Sequence, residues 1–587
     1  MRLSNRHTPA LVFLAILLVA ALLRVWLIAG ERVSFDSDEA VVGLMARHIT
    51  QGQPIPTFYY GQPYMGSLDA LLVAGGFAVG GESVTTMRAV QLVLSLLALL
   101  AAHALAQAVT GSRRVALMAL LLLAIPTPLG ALYGTATLGG YNELILLGGL
   151  VLLGSWQIAV EGRDAPWRWT ALGLAAGIGW WVNAAIIVSI AVAGLVGLRT
   201  LPRRPWRGYA LCAATFLLGS APWWLYNLGH DWASLDFLLG GFGHAPNADP
   251  VSRGEASVAL IGLGLPALYG LRLPWEAGLA VGAGALVAAL VYAALVTDSL
   301  AGGLARLRRK AGPPTLTAPL RTSFPPPQPP PSQGGRGLER ASVSLPPSRG
   351  KGRGWGAYDP ARRWVWMVFG VFAAVFLLSP FSDATGRYLL PLWIPAAIGV
   401  ALGFERLRRA RRLLAAGALA ALLAAQASAV IRAAQTETGL TPQLVEALRV
   451  PARYDEPLLD FLAAEGTTHG YAAYWTSFRL IFRSGEALIL DTALPYDAQG
   501  YRPVTDRYPP YRAQVEAAAR VVWITQNLPA LDARIAAGLG AAGVSYRTRD
   551  FGPYRVYYEF SRRVSPRDFG LDAPEPFDGS EGNPASE

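Results

Sequence analysis

Residues 35–52 read FDSDEAVVGLMARHITQG, and they set Asp36, Asp38 and Glu39 side by side just after Leu11 to Ile28, an apolar run long enough to cross a bilayer. The stretch has a helical pattern. Val42, Met45, Ala46 and Ile49 fall at i, i+3, i+4 and i+7, one face of a helix. The pattern is too short to span, so it predicts a helix lying along the membrane surface. Asp36 with Glu39 three residues on resembles a capping box with Asp in place of Ser or Thr, and both carboxylates suit the positive end of a helix. Asp38 is the carboxylate that the cap does not use. At a membrane mouth, such a group can act as a general base toward an acceptor hydroxyl.

The rest of the chain agrees with a membrane setting. Of 587 residues, 53% are hydrophobic and 15% charged, where soluble domains carry about a quarter charged. The net charge of +11 comes largely from short Arg clusters between apolar runs, which argues for topology rather than for nucleic-acid binding. The single cysteine, Cys212, excludes a disulfide framework and a cysteine metal site, and reads as a small buried apolar residue.

About eleven candidate spans centre near residues 20, 97, 123, 152, 175, 191, 217, 286, 372, 396 and 423. The first lacks a small-residue cleavage site and reads as a retained helix. Arg2 and Arg6 precede it. Further clusters follow at Arg113–Arg114, Arg163 and Arg168, Arg199 to Arg207, Arg306 to Lys310 and Arg406 to Arg412. All fall on one side if the N-terminus is cytoplasmic, which places the C-terminus outside. Residues 30–82, 134–142, 227–275 and 381–388 are then external, and Trp180 to Asn183 reads as an outer turn at an aromatic belt.

Three regions follow from composition. Residues 1–433 form the membrane domain, interrupted at 312–356 by a Pro-, Gly-, Ser- and Arg-rich insertion that reads as disordered and cytoplasmic. Residues 434–563 alternate apolar runs (YAAYW, EALIL, RVVWITQ, YRVYYEF) with helical patterns (PYRAQVEAAA, LPALDARIAAGLGAAG), predicting a small external α/β domain. Residues 564–587 are a polar tail that reads as disordered.

The motifs now align in order. An external Asp-Glu pair follows the first span, then YGQPYMGSL, then GGESVTTMRAVQ into the second span, with GGYNELILLGG, GSAPWWLYNLG and GRYLLPLWIP further on. This order resembles the GT-C fold membrane glycosyltransferases of the protein-mannosyltransferase and aminoarabinose-transferase group, nearest the bacterial branch that includes the Rhizobium lipopolysaccharide core transferases. The resemblance covers residues 10–230.

The resemblance implies an enzyme that moves a sugar from a polyprenyl-phosphate carrier to a lipid, glycan or protein acceptor outside the membrane, with inversion. Its acidic pair falls on Asp38 and Glu39, with Asp38 as base. The departing lipid phosphate needs a cation. Arg387, an external cation at the mouth of a span followed by Tyr388, is the first candidate, and Arg88 and Arg24 are the others. Tyr59, Tyr60, Tyr64, Tyr141, Glu143 and Tyr388 are candidates for the sugar or acceptor. No Walker or dinucleotide loop is present, which fits a lipid-linked donor. His230 and Asp231 lack a third ligand, so the sequence supports no metal site and no cofactor. A lipid-glycan flippase and a non-catalytic scaffold are the competing readings. A flippase would place charge near the bilayer midplane and often carries inverted repeats.

Overall fold

The structure is a computed structural model that describes residues 8–198, 206–240, 253–276, 278, 282–310, 359–379, 384–497 and 499–573. The insertion at 312–356, the arginines at 2, 6, 199, 203 and 204, and the chain beyond 573 lie outside the described residues.

The chain runs α1 (Thr8–Ala29), α2 (Ser37–Thr50), α3 (Leu68–Gly80), α4 (Val84–Thr110), α5 (Arg113–Ala124), α6 (Pro128–Tyr133), α7 (Tyr141–Ala159), α8 (Pro166–Val182), α9 (Ile187–Leu198), α10 (Trp206–Gly219) and α11 (Ala221–Gly229). It continues through α12 (Ala233–Gly240), α13 (Arg253–Ala259), α14 (Leu265–Leu268), α15 (Ala283–Lys310), α16 (Asp359–Leu378), α17 (Trp393–Ala410) and α18 (Arg412–Ala434). A helix lies at every centre named above, and among the described residues six are long and apolar enough to cross a membrane. Among the others, α5 and α10 are short because the sequence interrupts them. Pro126 and Pro128 separate α5 from α6, since proline cannot continue the preceding hydrogen-bond ladder. Ser220 and Pro222 do the same between α10 and α11.

Helix packing relies on small residues. A Cβ added to Gly177 of α8 would lie 2.2 Å from the Phe216 carbonyl of α10, so only glycine lets the two backbones approach this closely.

The α2 helix departs from the amphipathic expectation. It is buried on nearly every position from Ser37 to His48. One side packs on α3, and another on α20 (Tyr474–Arg483) of the C-terminal region, where Phe482 faces Gly43. The helix is therefore sandwiched rather than lying on a lipid surface, and Val41, Leu44, Met45, Phe77, Phe478 and Phe482 share one apolar core.

The C-terminal region contains α19 (Asp455–Ala464), α20, α21 (Pro509–Ala517) and α22 (Pro529–Ala541) around five strands. These are β1 (His469–Ala472), β2 (Ile489–Asp491), β3 (Val522–Gln526), β4 (Arg547–Phe551) and β5 (Tyr554–Tyr558), in the order β2-β1-β3-β5-β4. The β1 strand is parallel to β2 and to β3, while β5 is antiparallel to β3 and to β4, with Trp523 opposite Tyr557. Four strands fall on the four apolar runs. The fifth, RTRDF, is a largely exposed edge with no apolar alternation to mark it. A parallel bridge between Val33 and Leu440 ties this region to the segment entering α2.

Candidate active site

The site starts from the cap of α2. Asp36 is extended, and its Oδ1 accepts the Glu39 backbone N–H at 3.1 Å, as the sequence predicts. Its other oxygen accepts from Gln443 Nε2 at 2.9 Å. The reciprocal half of the capping box does not form. Glu39 turns instead to Arg88, which donates to it from Nε at 3.0 Å and Nη2 at 2.7 Å, and Glu39 Oε1 also accepts the Thr137 N–H at 3.3 Å. Both partners are buried.

Burial, and then the charge of Asp38, raises the Asp36 carboxyl to about 7. The native state therefore keeps this proton where the unfolded chain, near 3.8, has lost it. The associated stability is fully present below that lower value and is lost as pH rises through about 7. Asn caps a helix as well as Asp does. Asp36→Asn is accordingly expected to keep the fold and flatten this part of the pH dependence, which thermal unfolding in detergent between pH 4 and 8 measures. An unchanged slope would reject the assignment.

Asp38 faces a cavity of about 740 Å³. Tyr474, at the start of α20, donates to Asp38 Oδ1 at 2.5 Å, and Tyr59 donates to the Asp38 backbone carbonyl at 3.0 Å. Ser37 in turn donates to the Tyr474 carbonyl at 2.6 Å, which fixes α20 against α2. Burial, then the Asp38 charge, holds the Tyr474 hydroxyl well above its ordinary value, so it stays a donor to the carboxylate.

The cavity has two characters. Asp38, Tyr59, Gln62, Tyr64, Arg387, Tyr388, Tyr474 and Arg507 give it a polar end, while Ile187, Val188, Leu239, Phe372, Val375 and Phe376 give it apolar walls. The loop from α2 to α3 is pinned along its length: Trp181 Nε1 donates to the Thr57 carbonyl at 2.8 Å, and the Gly66 N–H to the Val182 carbonyl at 3.0 Å. Tyr64 stacks on Phe237 at 4.1 Å, and burial raises its hydroxyl. Arg387 follows Gly386, whose φ of +87° suits glycine, and its guanidinium lies 5.3 Å from the Tyr388 ring.

Asp38, Tyr59, Tyr64, Tyr141, Arg387 and Tyr388 thus meet at one cavity. The remaining candidates lie elsewhere. Glu39 and Arg88 hold each other. Arg24 donates from Nε to Ser95 Oγ at 2.7 Å inside the bundle. Tyr60 stacks on Tyr508 at 4.7 Å and its hydroxyl bonds His48 at 2.9 Å. Glu143 is buried against Asp69, and no other donor reaches its carboxylate oxygens among the described residues. Asp69 accepts from Gln91 at 2.7 Å and from the Gly140 N–H at 3.3 Å, and burial raises it to about 6. Gly140 has φ +78°, and a Cβ there would strike Val182 at 2.6 Å, so this carboxyl pair anchors a turn that only glycine can make. His230 stacks on Tyr226 at 3.9 Å, and among the described residues no cluster of three metal-ligating side chains occurs.

Tyr474, Tyr496, Arg502 and Arg507 also line the cavity, and sequence reasoning missed them. They come from the C-terminal region, and Arg507 sits in a polar loop, RPVTDRYPP, with no periodicity or motif to single it out.

No protein-family model and no curated protein matches the chain. Solved structures do, and they give it the GT-C fold of membrane glycosyltransferases; the chain is a multi-pass membrane protein. In particular, the crystal structure of ArnT from Cupriavidus metallidurans bound to undecaprenyl phosphate superimposes with a TM-score of 0.56 over 93% of this chain and 97% of that one, at 13% identity. Its apo state gives 0.55 over 93% and 98%, at 14% identity. The archaeal oligosaccharyltransferase AglB from Archaeoglobus fulgidus, in complex with an inhibitory peptide and a dolichol-phosphate, gives 0.43 at 12% identity over 93% of this chain and 74% of that one.

Proposed function

We propose that this protein is a glycosyltransferase that passes a sugar from a polyprenyl-phosphate donor to a hydroxyl acceptor, with inversion, at the external face of a bacterial cytoplasmic membrane. One observation carries the reading: a single cavity joins a carboxylate, Asp38, and a guanidinium, Arg387, to apolar walls from α9, α12 and α16. A polyprenyl phosphate has the same division, a charged head on an apolar tail, and ArnT was crystallised with such a lipid. The acceptor is a lipid, a glycan or a protein.

Chemically, the acceptor oxygen bonds to the anomeric carbon as the bond from that carbon to the phosphate oxygen breaks. Asp38 takes the hydroxyl proton, and its charge favours the cation-like carbon. The phosphate leaves with the bonding electrons toward Arg387, and no cofactor or metal is required of these residues. The external setting is supported by the helix leading out of the site, which begins at Arg387 and ends in the Arg408–Arg409 cluster.

The test is transfer of radiolabelled sugar in membranes containing the protein. Label is expected to reach an acceptor from polyprenyl-phosphate sugars and not from sugar nucleotides. The reverse preference would end this reading.

A further inference from the structure

Arg507 enters the cavity wall from the loop between β2 and α21, and it is nine-tenths buried. Of the arginines buried this deeply elsewhere in the chain, Arg88 holds Glu39, Arg479 holds Asp455 and Arg47 holds Glu82, while Arg24, inside the helix bundle and away from the cavity, holds the Ser95 hydroxyl and the Ala20 carbonyl. Arg507 has no carboxylate within ion-pair distance among the described residues. Its acceptors are neutral. The Gly61 carbonyl lies 3.5 Å from Nη1, and Gln62, oriented with its amide oxygen toward the guanidinium, accepts at 2.8 and 2.7 Å while donating to the Tyr64 hydroxyl at 3.0 Å. The rings of Tyr474 and Tyr59 lie 5.4 and 5.8 Å away. Arg507 Nε has no acceptor among the described residues. Neutral dipoles only partly repay the desolvation of a full charge, and Arg507, unlike Arg24, lines the cavity, where an anion can reach it.

We propose that Arg507 is a phosphate-binding residue, and that the C-terminal domain thereby supplies half of a two-arginine site, with Arg387, for the phosphate of the lipid donor. This rests on the donor reading given above. Arg387 and Arg507 line the same cavity as Tyr64, and Gln62, which accepts from Arg507, donates to the Tyr64 hydroxyl. Position is fixed by interlock. A Cβ on Gly61 would lie 2.8 Å from the Arg507 Cα, so the loop after α2 and the loop before α21 close on each other.

The second guanidinium has a chemical use. The donor's phosphodiester carries one negative charge. When its bond to the anomeric carbon breaks, the electron pair stays on the phosphate oxygen and the leaving group gains a second charge. A guanidinium already desolvated beside it stabilises that extra charge without reorganisation.

The experiment uses the full-length protein in detergent, with fluorescence of Trp180 and Trp475 in the cavity wall as readout. The probes are undecaprenyl phosphate, uncharged undecaprenol and inorganic phosphate. Arg507→Gln is expected to weaken undecaprenyl phosphate binding by about 30-fold, the worth of a charge-assisted hydrogen bond. It leaves undecaprenol binding unchanged, and Arg507→Lys recovers part of the loss. Lipid-phosphate binding as tight as wild type in Arg507→Gln would overturn the inference alone. So would an equal loss for undecaprenol, which would mark a structural role. A wild-type protein that does not prefer the phosphate over the alcohol would overturn the donor reading and this inference together. Inorganic phosphate displacing the lipid at equal concentration would overturn the lipid as its source.

Discussion

Asp38→Asn is expected to lower kcat by about 1,000-fold, in the middle of the range for a lost general base, while lipid-phosphate affinity stays at the wild-type level. Asparagine keeps the shape of the side chain, and its amide oxygen still accepts from Tyr474, so the contact that joins α2 to α20 survives. What disappears is the ability to take the acceptor's proton and the negative charge that favours a cation-like anomeric carbon. Both act in the transition state and not on the bound donor, so the loss belongs in kcat rather than in KM. Steady-state transfer from a polyprenyl-phosphate sugar, with wild type and variant at equal folded concentration, reads the split directly. Equal turnover would remove Asp38 from the chemistry. A loss confined to KM would reassign it to binding.

The sequence makes Asp38 and Arg387 visible for the same reason: each is a charged residue at the end of an apolar run, where charge is costly unless it is used. The long spans are visible because an apolar run of sufficient length has few other fates. What stays hidden depends on contacts between distant parts of the chain. The apolar positions of α2 predict a helix with one covered face, but half of its neighbours, Tyr474, Phe478 and Phe482 among them, lie more than 400 residues further on and leave no local trace. Arg507 is hidden for the same reason, since nothing in a polar loop reports that folding will bury it against Gln62. The breaks at Pro126 and Pro222 are legible in principle, but a hydropathy window averages across them. The edge strand β4 has a single apolar residue, Phe551, so alternation cannot mark it.

Glu39 and Arg88 show how a local reading and a long-range contact compete. Next to Asp38, Glu39 invites a role in catalysis, and Arg88 at a helix entrance invites a phosphate. The structure instead joins them across 49 residues, almost fully excluded from solvent. Breaking such a pair strands one charge in the interior. Arg88→Met and Glu39→Gln are each expected to cost about 3–5 kcal/mol of stability. In Arg88→Met, Glu39 keeps only the Thr137 N–H; in Glu39→Gln, Arg88 keeps the Ser34 carbonyl and a neutral amide. The double variant leaves no uncompensated charge, so its cost falls well below the sum of the two, and a double-mutant cycle from denaturant unfolding of the purified protein measures that difference. Transfer per folded molecule separates the two roles. If the pair is architectural, each variant loses activity in proportion to its folded fraction and keeps kcat. Variants as stable as wild type but slow in turnover would return Glu39 and Arg88 to the reaction, and strictly additive costs would show that the two charges do not depend on each other.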